Sequence, residues 1–150
     1  MACITTGVME RRENWEHFLS EFIFKRTNSV FKYGQNDCCL FVADAVEKIT
    51  GVDIAEEFRG QYTTKAEAYK LLMNFSGGAV EETLKTLSRQ YGFHEINPNY
   101  AGRGDIVLVE GEMGDAVGIV DMTGEQVAIP ARKGLISFPM VAIRKAWRVG

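Results

Sequence analysis

Trp15, Phe18, Leu19, Phe22 and Ile23 recur at i, i+3, i+4, i+7 and i+8, one face of a helix that fades at Thr27-Asn28-Ser29. A second helical stretch runs from about Cys38 to Thr50, with Asn36 or Asp37 available as N-cap and Gly51 as its stop. Within it Cys38, Val42, Ala45, Val46 and Ile49 share one face, and Asp44, Glu47 and Lys48 the other. Thr64 followed by Glu67 is a capping-box pattern that opens a short helix through Leu71, Leu72 and Met73, closed by Ser76-Gly77-Gly78. Val80, Leu84, Leu87 and Tyr91 mark a fourth helix, stopped by Gly92.

Beyond Gly92 the period changes. Ile106-Val107-Leu108-Val109, Ala116 to Val120, Gln126 to Ile129, Leu135 to Phe138 and Ala142 to Val149 are short β-rich runs separated by Gly, Asp, Asn or Pro. Helices followed by an antiparallel meander predict an α+β domain. The loop-like stretch from Asn97 to Gly104 is too short to separate two domains, so residues 1–150 are expected to form one.

Composition narrows the function classes. With 150 residues, 46% apolar and 25% charged, the chain reads as one globular domain and not as a disordered segment. A net charge of -3, with Lys and Arg scattered and Arg11-Arg12 set among glutamates, weighs against a nucleic-acid partner. No apolar run approaches the roughly 18–20 residues of a membrane span. Met-Ala-Cys-Ile-Thr-Thr-Gly lacks the pattern of a signal peptide, so synthesis and residence in the cytoplasm are expected. Three cysteines, two of them adjacent, form no disulfide framework and suggest a reducing compartment.

Candidate chemistry centres on Tyr33-Gly34-Gln35-Asn36-Asp37-Cys38-Cys39-Leu40-Phe41-Val42. A cysteine in the first turn of a helix feels the helix N-terminus, which favours the thiolate of a nucleophile. Two adjacent cysteines are equally what small buried apolar residues look like. A nucleophile needs a base, and the chain has only two histidines. His17 lies beside Trp15 and Phe18 and reads as a helix-surface residue. His94, in Phe93-His94-Glu95-Ile96, reads as part of a short edge strand, and no spacing brings it to Cys38. Neither C-x-x-C nor H-x-x-x-H spacing is present, so no metal or other cofactor is implied. Gly102-Arg103-Gly104-Asp105 precedes a strand and reads as a turn, not a phosphate loop. Arg144 to Val149 reads as a final strand with a solvated basic face.

These residues carry a resemblance. Asp37-Cys38-Cys39-Leu40-Phe41-Val42 resembles the Asp-Cys-Ser-Gly-Phe-Val nucleophile turn of the NlpC-type cell-wall cysteine peptidases, a papain-like superfamily. Gly104 to Val109 is similar to that family's Gly-Asp-Leu-Val-Phe-Phe strand, and Ala116 to Val120 to its His-Val-Gly-Ile-Tyr strand. A phage and prophage family of small NlpC-like proteins, encoded among tail genes, is closer still. It shares Tyr33-Gly34-x-x-Asp37-Cys38, Thr50-Gly51-x-Asp53, Phe58-Arg59-Gly60-x-Tyr62, Gly134-Leu135 and Ala146-Trp147-Arg148-Val149.

The resemblance implies a papain-like α+β fold with Cys38 at the nucleophile position. It equally implies a degenerate site, because Ala116 stands where the peptidases carry the base and Val127 where they carry the third residue. The function expected is a structural or assembly component of a tail tip on an inactive peptidase scaffold. Its partners would be tail tip or hub proteins, with peptidoglycan as a further candidate, and its location the host cytoplasm and then the virion. The alternatives are a working peptidase or amidase with Cys38 as nucleophile, and a module that binds peptide or glycan without cutting it. Partner contacts are expected at the segment before Glu10 and at Phe58 to Tyr62. With no imidazolium beside it, Cys38 is expected to alkylate no faster than an ordinary exposed thiol.

Overall fold

A computed structural model describes residues 8–111 and 114–150. Four helices come first: α1 (Trp15–Arg26), α2 (Cys38–Thr50), α3 (Lys65–Ser76) and α4 (Val80–Tyr91). The strands follow as β1 (His94–Ile96), β2 (Ile106–Gly111), β3 (Gly114–Val120), β4 (Gln126–Ala131), β5 (Gly134–Pro139) and β6 (Ile143–Arg148). The domain is α+β, as the change of period at Gly92 indicates. None of the described helices is long and apolar enough to cross a membrane.

Local signals set the helix ends. Asp37 caps α2 by accepting from the Leu40 N–H, and Gly51 ends it in the left-handed region. Thr64 caps α3 through the Glu67 N–H, and the Glu67 carboxylate returns to the Thr63 N–H. On α1 the stripe buries Leu19 and Phe22 fully and Trp15 and Ile23 in part, while Phe18 stays exposed.

The sheet is antiparallel in the order β1-β6-β2-β3-β4-β5. Only β2 to β5 form the expected meander; β6 returns to lie between β1 and β2, pairing Trp147 with both Glu95 and Ile106. Ala146 and Trp147 are fully buried, on opposite faces of the strand, and only an interior position covers both. The basic side chains of β6 stay part-exposed, as expected, and each meets a carboxylate. Arg144 pairs with Asp115, Lys145 with Glu95, and Arg148 with Asp105.

The sheet buries both faces. Ile106, Leu108, Val117, Ile119 and Trp147 pack under the helices. Val107, Val109, Val120, Val127, Ile129 and Ala146 form a second cluster on the other side. Helix α2 is also more enclosed than its two-faced pattern suggests, since Leu40, Phe41 and Ala43 are buried along with Ala45 and Val46. A helix apolar nearly all round belongs inside the domain, and α2 is the central one.

Candidate functional site

Asp37 shapes the turn that presents Cys38. One carboxylate oxygen caps α2 through the Leu40 N–H at 2.9 Å. The other accepts from the Gly34 N–H at 2.9 Å and from the Tyr62 O–H at 2.6 Å. Gly34 sits at φ 84°, and a Cβ there would run into the carbonyl oxygen of Tyr62, so the turn requires glycine. Burial, and then donation to Asp37, raise the Tyr62 phenol far above its usual pKa and keep it a donor.

Cys38 is the first residue of α2, partly exposed, and the only described residue of that helix to pack against the second cluster as well as the first. Cys38 is held below the ordinary thiol range chiefly by the neighbouring Cys39 thiol, with the Val117 backbone of β3 adding to it, against its burial and the nearby Asp37 charge. Cys39 is pushed well above that range by the same neighbour, and burial adds to the rise. The helix N-terminus is thus not the only feature that favours the Cys38 thiolate. The adjacent cysteine, which looks like filler in the sequence, is the largest influence on the first.

This has a measurable consequence. Replacing Cys39 with alanine removes the neighbour that favours the thiolate, so iodoacetamide modification of Cys38, followed by peptide mapping, should slow several-fold near neutral pH. Its pH profile should move upward. An unchanged profile would mean that the second thiol does not favour the thiolate.

The positions matched to the family's base and third residue share a side-chain cluster with Cys38. Ala116 packs against the cluster that contains Val127, and Cys38 packs against that same cluster. Neither alanine nor valine can take or relay a proton. The histidines stand elsewhere. His17 is exposed on α1, with its Nε2 3.7 Å from Glu21. That end of α1 is anchored at Lys48 and Ile49, near the far end of α2, about 16 Å along the helix from Cys38. His94 is exposed on the edge strand β1, three interstrand steps or about 14 Å across the sheet from β3.

Phe58 and Tyr62 are not a recognition loop. Both are 7% exposed; Phe58 meets Phe75 edge-on and Tyr62 binds Asp37. Their apolar rings are worth more in the core than on the surface. Of the segment before Glu10, residues 1–7 lie outside the described residues, while Val8 is exposed and Met9 is buried.

Other residues singled out in the sequence blocks hold the frame. Arg59 bonds Asp53 at 2.8 Å and Asp44 at 2.7 Å, and Arg26 bonds Asp44 at 2.6 Å. Against its partial burial, Asp53 is held below the usual carboxylate range by Arg59 and the Ala55 N–H. This network ties α1 and α2 to the segment that carries Tyr62.

A family model described as a domain of unknown function, DUF6950, matches residues 10–149. No curated protein matches the chain.

Proposed function

The chain belongs to the DUF6950 family, and from the surroundings of Cys38 we propose that it is a non-hydrolytic NlpC-like protein serving as a structural component of a tailed-phage tail tip. The observation that carries the first half is the pairing of a favoured thiolate with Ala116 and Val127 in place of an acid–base pair. Such a thiol can attack a reactive ester. Cleavage of a stable amide also requires a proton for the departing amine, which no side chain near Cys38 donates in imidazolium fashion.

The second half is supported by the order and spacing of the sequence blocks shared with the tail-gene family of small NlpC-like proteins. In this reading the chemistry of those blocks is structural: Asp37, Asp53, Arg59 and Tyr62 hold the turn and its supports together. Exposed apolar side chains such as Phe24 and Val141 offer contact area to neighbouring tail proteins. Stable assembly buries about 1,200–2,000 Å² in total, which a domain of this size can supply.

Two measurements test the proposal. Muropeptides incubated with the wild type and with Cys38→Ala should stay equally intact. Cleavage that disappears with Cys38 would overturn the non-hydrolytic half. Mass spectrometry of purified virions should detect the chain; its absence from the particle would overturn the assembly half.

A further inference from the structure

Behind the Cys38 turn lies a cavity of about 90 Å³, bounded by α2, residues 54–62, α3, α4 and β3. Its walls, which include Ala43, Ala55, Phe58, Ala68, Leu72 and Leu84, are almost wholly apolar. Close-packed interiors leave few voids larger than a water molecule. An apolar void stays dry, and its lining loses contacts. A water-sized group needs roughly 10–15 Å³ of such space, so the cavity has room for about seven carbon-sized groups. Cys38 and Cys39 are among the residues that line it.

We propose that this cavity receives a medium-length acyl chain, of about six to eight carbons, carried as a thioester on Cys38. The inference rests on the non-hydrolytic reading, because the same missing base that prevents amide cleavage lets a thioester persist. The Cys38 sulfur attacks the carbonyl carbon of an acyl thioester, and a new S–C bond forms. The C–S bond to the donor breaks, and the donor leaves as a thiolate that takes up, through solvent, the proton Cys38 has lost. Release of the acyl group needs a water molecule deprotonated beside the carbonyl. Ala116 and Val127 provide no base for that step.

Octanoyl-coenzyme A and the full chain test the proposal by intact-mass spectrometry and peptide mapping. One octanoyl group should appear on Cys38, be removed by neutral hydroxylamine, and be absent in Cys38→Ala. Acetyl-coenzyme A should react at least tenfold more slowly, since burial of each methylene is worth about fourfold. Palmitoyl-coenzyme A should also react more slowly, its chain being too long for the space. Leu72→Trp fills the cavity and should erase the octanoyl preference while leaving the acetyl rate in place. Ala68→Leu reads the same effect if the tryptophan variant does not fold.

Equal octanoyl and acetyl rates, modification at Cys39 or Cys3 instead of Cys38, or no adduct at all would overturn the proposal. The two readings fail separately. An octanoyl adduct on Cys38 that is rapidly released as octanoate supports the cavity and overturns the non-hydrolytic reading. Intact muropeptides with no adduct overturn the cavity and leave that reading standing.

Discussion

Replacing Asp105 with alanine is expected to destabilise the domain by about 3–5 kcal/mol, the usual cost of leaving a buried cation without its partner. Asp105 is fully buried at the start of β2. One oxygen accepts from Arg11 at 2.9 Å, and the other from Arg148 at 3.1 Å and the Gly102 N–H at 2.9 Å. Arg11 then reaches the Val149 carbonyl at 2.9 Å and the Arg103 carbonyl at 2.8 Å, and stacks 4.3 Å from the centre of the Trp15 ring. A single carboxylate therefore joins the segment before α1, the turn before β2 and the end of β6.

Burial pushes the Arg11 guanidinium down and Asp105 holds it charged, so loss of the carboxylate strands the cation against its ring and carbonyls. Arg148 is more exposed and contributes less. In thermal unfolding the variant should melt on the order of 10 °C below the parent. Asp105→Asn, which keeps an acceptor but not the charge, should fall between the two. Asp105→Ala melting together with the parent would show that the three segments are held by packing alone.

Asp37→Ala is expected to cost about 2–4 kcal/mol, combining the loss of a helix N-cap with a buried Tyr62 hydroxyl left without its acceptor. The Gly34 N–H loses its partner too, so the turn that presents Cys38 should loosen as stability falls. Asp37→Asn separates charge from geometry. Asparagine caps helices as well as aspartate does, but its one oxygen cannot serve both Leu40 and Tyr62, so stability should fall by less than in Asp37→Ala without reaching that of the parent. The Asp37 charge opposes the Cys38 thiolate. Its removal in Asp37→Asn should therefore move the alkylation profile of Cys38 to lower pH, the opposite direction from Cys39→Ala. Chemical denaturation and alkylation rates measured on the same two variants check both parts. Equal stability of Asp37→Ala and the parent would show that the carboxylate does not hold the turn.

The sequence by itself determined the helices almost to their end residues. Asp37, Thr64, Gly51, Gly77 and Gly92 act within one turn of the backbone they terminate, so their meaning needs no knowledge of distant residues. The strands were legible for a similar reason, since turn residues punctuate them at short intervals. The resemblance blocks likewise placed Cys38 at a helix start, and Cys38, Ala116 and Val127 converge on one cluster.

The remaining features depend on contacts between residues far apart in the chain. The position of β6 beside β2 follows from Trp147 and Ala146 needing cover on both faces, which no local pattern expresses. Asp105 reads as a turn residue until Arg11, 94 positions earlier, and Arg148 converge on it. Phe58 and Tyr62 look like loop aromatics until the Asp44–Arg59–Asp53 network folds their segment against α2. Cys39 favours the Cys38 thiolate only in the folded chain, and the cavity exists only where three helices and a sheet fail to close. Local signals act through backbone hydrogen bonds a few residues apart. These later features come from side chains that meet only once the chain has folded, and the tertiary structure alone sets which ones do.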